Sequence, residues 1–212
     1  MSFSSNVLTS RFIVADQGNS PYLMLVLHGR GDSLEGFTFL PEMLQEPALN
    51  YLLVNAPDDW YGGFSWYDLE PNQKPGVERS AALLNQLLLE VEQAGYLASD
   101  MFLFGFSQGC LMSLEWGLRT QKPFRGIVGV SGYCLDAKKL EEEAGEVGRQ
   151  TPCLVTHGYE DEVLPYRRTE AQMDHLSAHG FKMEMIGYHK GHTIDPYHEF
   201  PHIQAWVRNR LP

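Results

Sequence analysis

Ser107 stands in Gly105-Phe106-Ser107-Gln108-Gly109, directly after the apolar run Met101-Phe102-Leu103-Phe104. A serine hydroxyl is a weak nucleophile unless a base takes its proton, and it must also project clear of the backbone that carries it. The Gly-x-Ser-x-Gly spacing meets the second need. A buried strand that turns sharply into a helix lifts the serine to the top of a sheet, and the small flanking residues let strand and helix approach closely. The helix that starts at the serine also brings a partial positive charge, which favours developing negative charge. Alone, the motif could be a Gly-Ser turn before a helix. Set between a strand pattern and a helix pattern, it predicts an acyl-transfer nucleophile.

Such a serine requires a histidine, and the histidine an acid. On an elbow of this kind they follow in the order acid, then histidine, each on a loop after a later strand. The run Cys153–Thr156 leads into His157-Gly158-Tyr159-Glu160-Asp161-Glu162, so Glu160, Asp161 and Glu162 compete for the acid. The last strand pattern leads into His189-Lys190-Gly191-His192. His192 follows a glycine at the loop tip, where an imidazole can swing over the sheet edge; His189 lies nearer the strand. Spacing alone does not choose among the acids and separates the histidines only weakly. His175, His179, His198 and His202 fall in helical patterns and read as surface residues. His198 and His202 are i, i+4 neighbours, but no His-Glu-x-x-His and no acidic third ligand accompanies them, so no metal site is expected.

Ester hydrolysis passes through an oxyanion, and losing one backbone donor to it costs about 3–4 kcal/mol. The amide after the nucleophile, Gln108, is one candidate donor. The other is expected from His28-Gly29-Arg30-Gly31-Asp32, the loop after the run Tyr22–Leu27, where glycines let the backbone come close to a substrate. Arg30-Gly31-Asp32 also spells an adhesion tripeptide, but a loop at a catalytic mouth accounts for the same residues.

The elements that would position these groups can be read from short apolar runs. Tyr22–Leu27, Tyr51–Asn55, Met101–Phe104, Gly126–Val130, Cys153–Thr156 and Lys182–Ile186 read as strands, most of them buried on both faces of a parallel sheet. Amphipathic patterns between them predict helices over Val77–Ala94, Gln108–Thr120 and Tyr166–His179, with a last one opened by Pro196. Asp136–Gln150 is polar and reads as a solvated helix or loop. Strands alternating with helices imply βαβ units. The fold class expected is therefore α/β, with a mostly parallel central sheet flanked by helices.

Whole-chain properties narrow the function. The chain has 212 residues, 43% hydrophobic and 20% charged, which suits one domain over residues 1–212. Its formal net charge of −11 disfavours nucleic acid and anionic lipid surfaces as partners. Cys110, Cys134 and Cys153 are odd in number and show no Cys-x-x-Cys spacing, so free thiols and a cytoplasmic setting are expected. Met1–Asn6 shows no basic stretch leading into an apolar one, so no secretory leader is expected. No apolar run approaches the roughly 20 residues that span a bilayer, so stable membrane insertion is not expected.

Taken together the motifs resemble those of the phospholipase/carboxylesterase family of α/β hydrolases, the small carboxylesterases and acyl-protein thioesterases. His28-Gly29-Arg30-Gly31-Asp32 is similar to the family's His-Gly-x-Gly-Asp, and Gly63–Asp68 to its Gly-x-x-Trp-Phe/Tyr-Asp. Gly105–Gly109 is similar to its Gly-Phe-Ser-Gln-Gly, and Ser131-Gly132-Tyr133 to its Leu-Ser-Gly-Tyr. His157–Pro165 and Gly191-His192 complete the set. The resemblance spans most of the chain and implies an α/β-hydrolase fold with no large lid domain. It implies the triad Ser107, Asp161 and His192, oxyanion donors at Arg30 and Gln108, and an acyl cleft lined by Leu34, Trp66 and Val163. It departs from the family at Arg30, where many members carry Leu, and at Leu164, where they carry Val.

The activity this implies is hydrolysis of short to medium acyl esters through an acyl-enzyme. Longer-chain thioesters or lysophospholipids are the alternative. Neither metal nor organic cofactor is required, and the partner is a small-molecule or acylated substrate. An apolar cleft with exposed aromatics can double as a homodimer surface. A hydrolase-fold binding protein without turnover would lack or displace a triad member, and all three candidates are present.

Overall fold

The computed structural model describes residues 3–212. Met1 and Ser2, the start of the N-terminal stretch considered above, lie outside the described residues. The chain order is β1 (Ser10–Ile13), β2 (Tyr22–Leu27), α1 (Leu40–Leu44), β3 (Leu49–Val54), β4 (Asp58–Trp60), β5 (Gly63–Ser65), α2 (Gln73–Gln93) and β6 (Met101–Phe106). It continues with α3 (Gln108–Gly117), β7 (Gly126–Val130), α4 (Ala137–Glu143), α5 (Glu146–Gln150), β8 (Cys153–Gly158), α6 (Tyr166–Ala178), β9 (Met183–Tyr188) and α7 (Phe200–Arg208).

The main sheet has the order β1-β3-β2-β6-β7-β8-β9, and every pairing is parallel except β1 on β3. This is the α/β-hydrolase arrangement, with helices on both faces and no large lid domain among the described residues. Strand residues alternate between two cores, as the period-two geometry of a strand requires. Leu23, Leu25 and Leu27 face a layer that includes α2, α3 and α6 residues such as Leu84, Leu111 and Leu176. Met24 and Val26 face a second layer that includes Leu40 and Leu44 of α1 and Ile203 and Trp206 of α7. Both faces being covered explains why the strands read as unbroken apolar runs. The cysteines are all free and buried.

Three elements differ from expectation. The antiparallel edge strand β1 was not expected: of its four residues only Phe12 and Ile13 are apolar, because an edge strand needs only half its surface covered. The hairpin β4–β5 turns at Tyr61 and Gly62, with φ of 42° and 89°, and its strands are too short for a periodic signal. The last helix does not open at Pro196. Asp195 Oδ1 accepts from the Tyr197 and His198 amides, which fixes a turn there. Asp195 O accepts from Phe200 N, and α7 starts at Phe200 with Pro201 in its first turn. His198 consequently lies outside the helix, in that turn.

The strand order reverses direction on either side of β2, where parallel sheets place their crevices at the C-terminal strand ends. Leu27 pairs with Gly105, so the loop that leaves β2 and the elbow that leaves β6 emerge side by side. Gly158 pairs with Tyr188, which does the same for the loops after β8 and β9.

Candidate active site

Ser107 has φ 53° and ψ −112°, the strained backbone a nucleophile elbow demands. Few non-glycine residues accept positive φ, and main-chain hydrogen bonds hold this one. The Ser107 amide donates to Val130 O at 2.9 Å, and its carbonyl accepts from Leu111 N at 3.2 Å. A Cβ on Gly109 would stand 1.9 Å from Leu27 O, so α3 can reach the sheet only with glycine at this position.

His192 Nε2 lies 2.9 Å from Ser107 Oγ, and His192 Nδ1 lies 2.8 Å from Asp161 Oδ2. Asp161 is buried, and its other oxygen accepts from the amides of Val163 and Leu164 at 2.9 and 2.8 Å. The competing groups fall elsewhere. His189 and Glu160 face each other at 3.6 Å in solvent, and Glu162 is exposed. His157 lies beneath the acid, its Nε2 2.8 Å from Leu164 O and 3.3 Å from Asp161 Oδ2. Burial pushes the His157 pKa down, so the ring stays neutral and, donating from Nε2 to Leu164 O, fixes the Asp161 loop.

Arg30 and Gln108 flank Ser107 from the two adjacent strand ends. Among the described residues, neither main-chain N–H has a hydrogen-bond acceptor, which leaves both available to an oxyanion. The hairpin β4–β5 pins the Arg30 loop: Gly31 N donates to Phe64 O, and Phe64 N to Asp32 O, both at 2.8 Å. A Cβ on Gly63 would stand 2.1 Å from Gly31 O, so this contact too requires glycine. His28 accepts from Ala56 N through Nε2 at 3.0 Å, and its Nδ1 lies 2.6 Å from Gly29 O. That pattern needs a neutral ring, and burial lowers the His28 pKa accordingly. The Gln108 side chain accepts from Trp66 N at 2.9 Å and donates to Tyr67 O at 2.7 Å, tying the hairpin's exit to α3.

The residues expected to line an acyl cleft separate here. Trp66 is wholly buried and its Nε1 donates to His28 O at 2.9 Å. It thereby braces the Arg30 loop from behind. Leu34 is likewise buried in the second core layer, whereas Val163 is 64% exposed. Arg30 lays its guanidinium over the Trp60 ring, 3.7 Å from the centroid.

One buried charged group beside the site escaped the sequence reading. Lys190 is buried behind the His192 loop, its Nζ donating to Glu199 Oε1 at 2.5 Å and to Thr193 O at 2.6 Å, with Ser131 Oγ at 3.3 Å. Glu199 Oε2 accepts from Asp195 N at 2.8 Å. The loop from His192 to Asp195 is therefore strung on a buried ion pair. A lysine beside a glutamate nine residues on is too common a pattern to signal this.

A family model described as Phospholipase/Carboxylesterase matches residues 8–209. A protein named acyl-protein thioesterase 1 from Schizosaccharomyces pombe is 32% identical over 167 residues, covering 72% of this chain and 74% of its own length. The crystal structure of esterase PE8 superposes with a TM-score of 0.87 at 28% identity, covering 96% of this chain and 99% of that one. The crystal structure of acyl-protein thioesterase 2 from Zea mays gives 0.79 at 25% identity, covering 99% of this chain and all of that one, 100%. Among the described residues, no helix is long and apolar enough to cross a membrane.

Proposed function

The chain belongs to the phospholipase/carboxylesterase family and is a serine hydrolase of the esterase and acyl-protein thioesterase type, and we propose that it hydrolyses short to medium acyl esters through an acyl-enzyme on Ser107. The supporting observation is the chain of contacts from Asp161 through His192 to Ser107, at 2.8 and 2.9 Å, beside the Arg30 and Gln108 amides, which have no acceptor among the described residues. In this reading His192 takes the Ser107 proton as Oγ attacks the acyl carbonyl. Asp161 holds the imidazole in the needed tautomer and stabilises the imidazolium. The amides of Arg30 and Gln108 receive the oxyanion. His192 then gives its proton to the leaving group, and water, activated the same way, releases the acid.

The thioester reading has its own support in the relatives named acyl-protein thioesterase 1. The free, buried thiols fit a reducing, cytoplasmic setting, and the chain is taken to act as one domain.

A fluorophosphonate probe should label the wild type and not Ser107→Ala; labelling that survives in the variant would overturn the nucleophile. His192→Ala should lose about three orders of magnitude in turnover. Asp161→Asn should cost far more than Glu160→Gln or Glu162→Gln. A chain-length panel of p-nitrophenyl esters run beside acyl thioesters separates the two substrate readings.

A further inference from the structure

Away from Ser107, where α4 packs on α6, three metal-ligating side chains converge. His175 Nε2 lies 2.9 Å from Glu141 Oε2, and His179 Nε2 lies 4.0 Å from the same oxygen. All three donor atoms fall within 4.8 Å of one another, the one such group among the described residues. We infer that Glu141, His175 and His179 form a binding site for a single divalent cation of the zinc class.

The spacing has a simple origin. His175 in the last turn of α6 and His179 at its C-cap are i, i+4 neighbours and present their rings on one face, with centroids 4.3 Å apart. Zinc–nitrogen and zinc–oxygen bonds of about 2.0–2.1 Å at tetrahedral angles put ligand atoms about 3.3 Å from each other. The spacings of 2.9 and 4.0 Å straddle that figure, so modest side-chain rotation closes the site. His179 is also held in the right form. Its Nδ1 donates to His175 O at 2.7 Å, which leaves the Nε2 lone pair free, the same outer contact that orients histidine ligands generally. On binding, the metal replaces the His175 Nε2–H···Glu141 contact.

The electrostatics favour a dication. Glu141 has no Lys or Arg ion-pair partner among the described residues. The C-terminal end of α6 contributes partial negative charge. The nearby cation, Arg149, turns its donors to main-chain oxygens and not to the Glu141 carboxylate: it donates to Glu141 O and His179 O, both at 2.6 Å, and stacks on Phe181. The side chains of Glu141, His175 and His179 are 25%, 24% and 45% exposed, so solvent can both deliver the ion and fill a fourth position. Two imidazoles and one carboxylate select zinc, cobalt, nickel or copper over magnesium and calcium, which prefer oxygen. A bound ion would staple α4 to α6.

The test is titration of the purified protein with zinc chloride by calorimetry, beside His179→Ala, Glu141→Gln and His192→Ala. One equivalent should bind the wild type and His192→Ala alike, with affinity at least tenfold weaker in His179→Ala and in Glu141→Gln. Zinc should raise the melting temperature of the wild type and not of His179→Ala, and magnesium should do neither. An anomalous difference peak at the zinc edge should lie between the two Nε2 atoms. Equal binding by wild type and His179→Ala, or binding lost in His192→Ala alone, would overturn the site. Circular dichroism and the metal-free melting temperature of His179→Ala show that the variant is folded.

Discussion

Replacing Lys190 by Met leaves Glu199, whose side chain is wholly buried, without its cation. The Lys190 side chain is 4% exposed, so solvent cannot fill the gap. Burial pushes the Lys190 pKa down, and the Glu199 carboxylate is the largest influence opposing that. Breaking a buried pair by removing one partner costs about 3–5 kcal/mol, chiefly because a buried charge is left uncompensated. At about 2–4 °C per kcal/mol for a chain of this size, Lys190→Met should melt roughly 6–20 °C below wild type. The variant also loses the donor to Thr193 O, so the loop carrying His192 is freed. A misplacement near 1 Å can cost about a hundredfold in rate, and turnover should fall at least tenfold. The double variant Lys190→Met/Glu199→Gln removes both charges and keeps an acceptor for Asp195 N–H. It should recover most of the stability, since neutral replacement of a buried pair is often close to harmless. Thermal unfolding by circular dichroism and p-nitrophenyl ester turnover, measured on both variants, decide the matter. If Lys190→Met melts within about 3 °C of wild type with normal turnover, or if the double variant is no more stable than the single, the reasoning is wrong.

Two further outcomes follow from the same structure. Gly109→Ala should destabilise by at least about 2 kcal/mol in urea unfolding and abolish activity, because its Cβ would collide with Leu27 O and push α3 from the elbow; an unchanged urea midpoint would contradict the close approach. His28 and His157 both have pKa values lowered from 6.5 by burial, so the unfolded chain binds protons before the folded one. Their stabilisation is complete above about pH 6.5 and is lost as pH falls from there toward the folded values. The urea midpoint should therefore drop between pH 7 and pH 5, and His157→Gln should flatten that slope; an identical slope in the variant would assign the acid sensitivity to other groups.

The sequence by itself determined the sheet and the order of the groups along it. A parallel strand covered on both faces has to be apolar throughout, so Tyr22–Leu27 and Gly126–Val130 could be bounded to the residue. The elbow at Ser107 was equally legible, since only glycines at 105 and 109 permit the approach of α3. What local pattern could not reach were the edges and the pairings. The strand β1 and the hairpin β4–β5 are short and half covered, so they carry no periodic signal, yet the hairpin holds the Arg30 loop. Asp195 rather than Pro196 set the approach to α7, because a side chain capping two amides fixes a turn that composition does not reveal. The residues left a choice among Glu160, Asp161 and Glu162 that only the resemblance narrowed. In the fold, Asp161 lies on the buried side of its loop facing His192, and its two neighbours point to water. The bond from Trp66 to His28 O and the pairing of Lys190 with Glu199 were likewise decided in three dimensions. Burial and partnership belong to a side chain's neighbours in space, and those neighbours lie on segments that the chain brings together only once it has folded.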